Sequence, residues 1–304
     1  MFKESRTTLS SVAKFFDNVL RDGSFYGVGK IPTRLSGKLI PLGSKKFLPE
    51  LLNDIQDTAG VICPPELADH IPEHLGCAIS SRPIAAAYKL HHYLCTLKGY
   101  FWDPFPSKIH PSAQIHPTAF VADQNVVIGA ECVIGPNASI MERVLIGEGT
   151  VVGPNCVIGS QAYEISEIDG RPQLLEQAGA VRIGRGCVFL SGVTVARSTF
   201  ATWTEIGDFC SFDNLVHVAH DCVLGRGVKM TAASMLSGRV TLGDNVYIGP
   251  NSTVSNGVTI EPGAYVTIGS VVVSDVPEGR KVAGNFAVNH LAFKRQIAKL
   301  ARGG

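Results

Sequence analysis

The stretch IGDFCSFDNLVHVAHDCVLGRGVKMTAASMLSGRVTLGDNVYI, residues 206–248, carries a large apolar residue at every sixth position. The series continues to Val266, and residues 128–158 keep the same spacing with isoleucine and valine. Neither the helical period of 3.6 residues nor the two-residue alternation of a half-buried strand produces this pattern. Such hexapeptide repeats are typical of a parallel β-helix, in which three six-residue sides make a coil of about 18 residues.

The period therefore predicts a mostly β chain, with a left-handed parallel β-helix over residues 109–284 and the sixth residues pointing inward. The series breaks over residues 159–182, which we interpret as a loop extending from the prism. No cysteine pair has a CxxC or zinc-ligand spacing. We expect the cysteines that lie two positions before an inward residue to be reduced packing residues: Cys132, Cys156, Cys187, Cys210 and Cys222.

The two ends of the chain lack the six-residue period. Residues 1–100 combine short apolar runs (TAGVICPP, CAISSR) with two helical patterns, SSVAKFFDNVL and PIAAAYKLHHYLCTL, and this mixture predicts a small α/β domain. The aromatic and proline-rich residues 101–108 are the predicted linker into the prism. Residues 285–304 form a predicted short, basic C-terminal helix.

Composition narrows the possible functions. The chain has 304 residues, of which 45% are hydrophobic, and a formal net charge of +1. That charge gives no electrostatic reason to expect a nucleic-acid partner. No apolar run reaches membrane-spanning length, and the N-terminus has no signal-peptide pattern, so we expect a cytoplasmic protein.

Two histidines in the quoted stretch are candidates for chemistry. His217 and His220 flank the inward Val218, so both side chains are expected to face outward, in one segment with Asp213. An imidazole can act as a general base, and a carboxylate can fix its tautomer. Gly238 lies one coil beyond His220, and its backbone N–H could stabilise an oxyanion. A base and an oxyanion donor on adjacent coils predict acyl transfer.

Two other classes of function stay open. Some hexapeptide proteins are γ-type carbonic anhydrases that bind zinc through three histidines, but no third prism histidine lies near this pair in the repeat. Other hexapeptide prisms are non-catalytic assembly scaffolds. The role of His217 is also open, because it could share the work of the base, bind a sugar or fill a wall position.

The chain resembles the UDP-3-O-(3-hydroxyacyl)glucosamine N-acyltransferases of lipid A biosynthesis. The resemblance rests on the IHPSAQIHPTA opening of the prism, the interrupting loop and above all DNLVHVAHDCVLG, residues 213–225. It implies that His220 is the general base, Asp213 its orienting partner and Gly238 the oxyanion donor. Departures from the family pattern, such as Pro41 and Ser44, favour a relative that N-acylates a nucleotide-linked amino sugar for O-antigen or another surface polysaccharide.

The resemblance also implies substrates and partners. Residues 1–100 resemble a uridine-binding domain in which Phe47 stacks on uracil, while Pro41 and Ser44 replace an aromatic residue and an asparagine of that site. Asn214 is implied to bind substrate. Val271 falls near a position that limits acyl length. The family is homotrimeric, holds no bound cofactor and takes its acyl group from acyl carrier protein; coenzyme A is the alternative donor for this chain.

Overall fold

The structure is a computed structural model that describes residues 1–31, 33–168, 170–284 and 288–301, without the side chains of residues 296, 300 and 301. Its larger part is the predicted prism, a left-handed parallel β-helix with three sheets as faces. Equivalent positions on adjacent coils are separated by three hexapeptides, so that Val218 pairs with Leu236 and Phe212 with Met230. The fold class predicted from the six-residue period is confirmed.

Among the described residues, face I has eight strands, face II nine and face III eight. Face I comprises Lys108–Ile109, Val126–Ile128, Val144–Ile146, Ala180–Ile183, Trp203–Ile206, Val223–Leu224, Thr241–Leu242 and Thr259–Ile260. Face II comprises Gln114–Ile115, Val133–Ile134, Val151–Val152, Val188–Phe189, Ser211–Phe212, Lys229–Met230, Tyr247–Ile248, Tyr265–Val266 and Lys281–Val282. Face III comprises Phe120–Val121, Ser139–Ile140, Val157–Ser160, Thr194–Ala196, His217–Val218, Met235–Leu236, Thr253–Val254 and Val271–Val272.

The prism cysteines pack inside, as predicted. Cys132, Cys156, Cys187, Cys210 and Cys222 are all buried and free. The Cys222 thiol lies 3.2 Å from the Ser237 carbonyl on the next coil, and the Cys210 thiol lies 3.2 Å from that of Gly225. At the equivalent position on another coil, the hydroxyl of Ser252 donates to the Thr267 carbonyl at 2.8 Å. Where this slot holds cysteine or serine, the side chain donates to a turn carbonyl and satisfies a buried acceptor, whereas on other turns the slot holds a buried valine such as Val228 or Val240.

The N-terminal domain contains a five-stranded sheet. In spatial order its strands are Asn18–Arg21, Gly76–Ile79, Thr58–Cys63, Lys38–Pro41 and Gly27–Val28. Helix α1 (Leu48–Asn53), helix α2 (Pro83–Thr96), the strand pair Thr7–Thr8 and Ser24–Phe25, and the 3₁₀ turns Ser10–Phe15, Lys45–Phe47, Ile55–Asp57 and Pro65–His70 complete it.

One helix prediction is wrong in part. SSVAKFFDNVL was expected to be a single helix, but only Ser10–Phe15 is helical, and Asn18–Arg21 is a strand. That strand pairs antiparallel with Gly76–Ile79 and completes one edge of the sheet. Backbone pairing with a distant strand overrode the local apolar spacing, which is a weak guide over so short a segment.

The N-terminal domain is joined to the prism by an aromatic cluster. The rings of Phe2 and Trp102 meet edge to face at 4.9 Å, and those of Phe2 and Trp203 at 5.0 Å. Trp203 lies on face I, whereas Trp102 belongs to the segment predicted as a linker. Residues 101–102 are buried in this packing, so at least this part of the segment is held in place.

The interrupting loop contains a hairpin, Ile165–Ile168 with Arg171–Leu174, before the chain returns to face I at Ala180. Ile168 and Leu175 share an apolar cluster with helix α2. His91 of that helix is fully buried, and its Nε2–H donates to the Glu176 carbonyl at 2.9 Å. Its Nδ1 meets no hydrogen-bonding partner in the described part of the chain. His91 is therefore a core packing residue of the N-terminal domain.

Helix α3 (His290–Ala301) follows the prism and carries Lys294, Arg295 and Lys299. The predicted start of the C-terminal segment at residue 285, and its last three residues, lie outside the described residues.

We expect His91 to make stability depend on pH. Burial lowers the pKa of His91 from 6.5 to about 4. The unfolded chain therefore binds the extra proton first, and stability is fully present above pH 6.5 and is lost as the pH falls towards 4. Between pH 7.5 and 5 the loss should reach about 2 kcal/mol.

The measurement is urea unfolding at both pH values and one protein concentration. His91→Gln keeps a donor for the Glu176 carbonyl and should remove this part of the pH dependence. The control is His92→Gln at the exposed neighbouring position, which should retain it. An unchanged pH dependence in His91→Gln would contradict the assignment.

Candidate active site

The chain's irregular segments gather at the corner where face III passes to face I. The interrupting loop, predicted over residues 159–182, leaves the prism there as residues 161–179, between strands Val157–Ser160 and Ala180–Ile183. Eleven residues, instead of six, separate the inward Val195 from Ile206, so a second, shorter excursion leaves at the same corner one coil further on. His220 lies at this corner on the next coil. The interrupting loop, the shorter excursion and His220 therefore lie on one surface. The N-terminal domain contacts this surface, since Lys30 bonds to the loop and Arg34 to the excursion.

The imidazole of His220 is held on its Nδ1 side by Asp221. Nδ1 lies 2.7 Å from Asp221 Oδ2 and 3.2 Å from the hydroxyl of Thr199. The side chain of His220 is only 10% exposed. In a neutral ring, an Nδ1–H that donates to a carboxylate leaves Nε2 as the acceptor, which is the tautomer that a general base requires.

Asp221 is in turn fixed by the shorter excursion. The hydroxyl of Ser198 donates to Asp221 Oδ1, and the backbone N–H of Asp221 donates to Thr204 Oγ1 at 2.9 Å. The backbone of Asp221 is left-handed, with φ of 59°, a conformation that aspartate tolerates better than most residues. The excursion thus holds the carboxylate against the ring.

Asp213 does not occupy the place predicted for it within the chain. Its Oδ1 accepts from the backbone N–H of Asn214 at 2.7 Å, and its Oδ2 accepts from the Ala232 N–H at 3.2 Å. Asn214 Oδ1 accepts from the Ser191 N–H at 3.0 Å. Both residues staple neighbouring coils at the corner between faces II and III. The prediction that Asp213 orients His220 is therefore corrected, because Asp221 makes that contact.

Gly238 lies against the ring of His220, one coil along as the period predicted. A Cβ on residue 238 would lie 2.5 Å from His220 Nε2, so no larger residue fits here without a shift. The next residue, Arg239, donates its backbone N–H to the His220 carbonyl at 2.9 Å. Within the described residues the N–H of Gly238 donates to no acceptor. A free donor beside a base suits an oxyanion, and that role stays a prediction.

The Nε2 side of His220 faces a residue that sequence reasoning missed. Glu164, from the interrupting loop, places Oε2 3.8 Å from Nε2. Its other oxygen, Oε1, accepts from Lys30 Nζ of the N-terminal domain at 2.5 Å. No local motif marks Glu164, because the loop has no period. By contrast, Asp221 directly follows His220, and that adjacency could have been considered.

His217 lies on face III beside the site. It pairs with Thr194 and Met235 on the adjacent coils and is half-buried. Burial, followed by the nearby His220, lowers the pKa of His217 from its ordinary value, which favours the neutral imidazole at pH 7. Val271 points outward from the same face, three strands beyond His217, or about 14 Å at the spacing of a β-sheet.

A cavity of about 230 Å³ opens next to Asp221, between residues 33–34 and face I. Arg34 and Arg239 line it. Arg34 donates to Thr241 Oγ1 at 3.1 Å, and Arg239 donates to Asn256 Oδ1 at 2.8 Å. Guanidinium groups bind phosphate through paired N–H donors, so Arg34 and Arg239 are the groups here that suit an anionic ligand, beside the carboxylates of Asp221 and Glu205 that also line the cavity.

The predicted nucleotide-binding residues lie elsewhere, after strand Lys38–Pro41. Pro41 ends the strand, Ser44 precedes the 3₁₀ turn, and Phe47 ends that turn. The ring of Phe47 is about one-third exposed, with Lys46 Nζ 4.7 Å from its centre. Among the described contacts none joins these three residues to His220.

The described residues contain no group of three histidine, cysteine, aspartate or glutamate side chains arranged to hold a metal ion. They also include no helix with the length and apolarity needed to cross a membrane.

The chain is similar in sequence and fold to several known proteins. Residues 125–160 match the family model described as bacterial transferase hexapeptide (six repeats). The chain is 34% identical over 128 residues to the UDP-3-O-acylglucosamine N-acyltransferase of Caulobacter sp. strain K31, covering 42% of this chain and 37% of that protein. It is 35% identical over 132 residues to the acyl-[acyl-carrier-protein]–UDP-N-acetylglucosamine O-acyltransferase of Agrobacterium fabrum, covering 42% and 49%.

The matched segments thus span less than half the length of either relative. Among solved structures, the UDP-N-acetylglucosamine acyltransferase of Bacteroides fragilis is 24% identical, with a TM-score of 0.45 over 62% of this chain and 76% of that chain.

We predict that Asp221, and not Asp213, sets the tautomer of His220. In Asp221→Asn the side chain can no longer accept from Ser198, Thr199 and His220 at once, so the population of the Nδ1–H tautomer should fall. Asp213→Asn is the matched control and should leave the tautomer unchanged. Ring ¹⁵N chemical shifts of His220 measure the populations, and the reverse pattern would restore Asp213 as the partner.

Proposed function

We propose that this protein is an N-acyltransferase that moves an acyl group from a thioester to the amine of a nucleotide-linked amino sugar. The carrying observation is the arrangement Asp221–His220–Gly238, a fixed base with a free backbone donor on the next coil. The similarity to sugar-nucleotide acyltransferases supports this proposal. Each alignment covers only part of the relative's length.

The mechanism follows from these positions. The amine attacks the thioester carbonyl while His220 Nε2 takes one of its protons. The N–H of Gly238 donates to the oxyanion that develops, and Asp221 stabilises the imidazolium. When the carbon–sulfur bond breaks, the imidazolium returns the proton to the departing thiolate. The products are an amide and a free thiol, and the base is regenerated.

The substrates each have a candidate place. Arg34 and Arg239 would bind the phosphates in the cavity beside Asp221, and Phe47 would stack on the nucleobase of the nucleotide further away. The acyl chain would extend along face III towards Val271. The donor is acyl carrier protein or coenzyme A, both anionic and both compatible with the basic face of helix α3.

We further propose a homotrimer. The prism exposes apolar corner residues, among them Leu215 at 69% and Phe209 at 42%, that a neighbouring prism would cover. A UDP-linked acceptor would point to the lipid A precursor, and a dTDP-linked acceptor to a surface polysaccharide.

His220→Ala should lower kcat by roughly 10²-fold or more with whichever acceptor and thioester the wild type uses, because the base is lost. Product formation is followed by mass spectrometry or by release of thiol. His116→Ala, at an exposed histidine of the prism wall, is the control and should keep wild-type activity. Full activity in His220→Ala would contradict the proposed mechanism, in which His220 is the general base.

Phe47→Ala should weaken nucleotide binding about tenfold, since stacking of a base on an aromatic ring contributes about 1–3 kcal/mol. Isothermal titration with UDP and dTDP gives the dissociation constants. Phe120→Ala removes an exposed ring at the start of the prism and serves as the control. Equal affinities in the wild type and Phe47→Ala would mean that the nucleobase binds elsewhere. The cavity of Arg34 and Arg239 would then be the first alternative site for the nucleobase.

A further inference from the structure

Glu164 occupies the position from which an acceptor must approach the base. It immediately precedes the hairpin strand Ile165–Ile168, and its carbonyl accepts from the Leu175 N–H at 2.8 Å, which fixes the backbone. Its carboxylate reaches the corner of the prism and lies 3.8 Å from His220 Nε2. The side chain of Glu164 is only 16% exposed.

The two carboxylate oxygens of Glu164 have different surroundings. Oε1 is held by Lys30 Nζ at 2.5 Å. Lys30 lies close to Tyr88 on helix α2, where burial raises the pKa of the Tyr88 hydroxyl. Oε2 accepts no hydrogen bond from the described residues and is directed at Nε2 of His220. One oxygen is thus anchored by the N-terminal domain while the other stays available to a ligand.

The separation of 3.8 Å between Oε2 and Nε2 suits one atom with two hydrogens. A nitrogen about 2.9 Å from both Oε2 and Nε2 can donate one hydrogen bond to each. A neutral primary amine has two N–H groups and a lone pair. It can give one proton to Nε2, keep the other in a hydrogen bond to Glu164, and direct its lone pair at the thioester carbon.

A sugar hydroxyl cannot satisfy the same pair. It has one O–H, which must go to Nε2 for the oxygen to become a nucleophile. Glu164 Oε2 would then face the lone pairs of that oxygen with no proton between them, and a carboxylate oxygen without a donor is costly in a site this enclosed. The same carboxylate therefore favours an amine and disfavours a hydroxyl.

We infer that Glu164 is the residue that selects an amine over a hydroxyl as the acceptor. The inference rests on the proposed function and deepens it. The proton balance is explicit, because the amine nitrogen enters with two hydrogens, loses one to His220 and retains the other as the amide N–H bound to Glu164. Lys30 positions the carboxylate and does not touch the acceptor.

The test compares two acceptors that differ at one group, UDP-glucosamine and UDP-glucose, together with the dTDP-linked pair. In Glu164→Gln, kcat/KM for the amine should fall about tenfold to a hundredfold, the effect of losing a hydrogen bond to a charged group. Transfer to the hydroxyl acceptor should stay equal or rise. Glu167→Gln, at an exposed position of the same hairpin, is the matched control and should leave the ratio unchanged.

Binding provides a readout that does not require turnover. The wild type should bind the amino sugar nucleotide more tightly than its hydroxyl counterpart, and Glu164→Gln should lose that preference while keeping its thermal unfolding midpoint. An unchanged amine preference in Glu164→Gln, or no preference in the wild type, overturns the inference. Acyl transfer that depends on His220 but not on Glu164 would leave the proposed function intact and reject only the selector.

Discussion

The inward residue at every sixth position is the constraint on which the rest of the molecule depends. Each such residue fixes one side of a triangular coil, and three hexapeptides bring the chain back to the same place one strand higher. The buried stacks of apolar side chains then lock the register, since a slip of one residue would turn the apolar side chains outward. Because the turns occur at fixed corners, residues one coil length apart in sequence are neighbours there, and residues several coil lengths apart lie at the same corner several strands away. The number of residues between two positions therefore decides whether their side chains lie side by side at a corner.

The candidate site uses this placement at a single corner. His220 and Gly238 are neighbours because they are one coil apart, and their close approach is possible because residue 238 has no side chain. The repeat itself supplies Asp221, the residue that contacts the Nδ1 side of His220. Departures from the repeat supply the groups around this pair, because Ser198 and Thr199 of the shorter excursion hold Asp221 and Glu164 arrives on the longer one. The repeat thus provides a rigid reference, and the loops complete the site around it.

The sequence was sufficient for what the period controls and insufficient for what it does not. The prism, its three faces and the adjacency of His220 and Gly238 all follow from spacing. The carboxylate beside His220 was assigned to Asp213 by resemblance, but the left-handed turn at Asp221 directs the neighbouring carboxylate to the ring, and spacing alone does not report a side-chain direction. The place of Glu164 in the site could not be predicted, because it depends on a hairpin that packs against helix α2. That contact joins segments that lie far apart in the sequence. The strand at Asn18–Arg21 was missed for a similar reason, since its partner lies at Gly76–Ile79.

This division of labour bears on how acceptor specificity arises in a hexapeptide prism. The proposed base, its orienting carboxylate and the proposed oxyanion donor do not distinguish an amine from a hydroxyl, because each would act on a proton or an oxygen that both reactions share. Discrimination needs a group that contacts the hydrogen remaining on nitrogen after attack, and a hydroxyl has no such hydrogen. That group need not belong to the prism. It can be carried by a loop that leaves the corner, as Glu164 is, and be held from outside by a residue such as Lys30. The catalytic geometry could then remain fixed while the loop changed, since none of the inward residues would have to move.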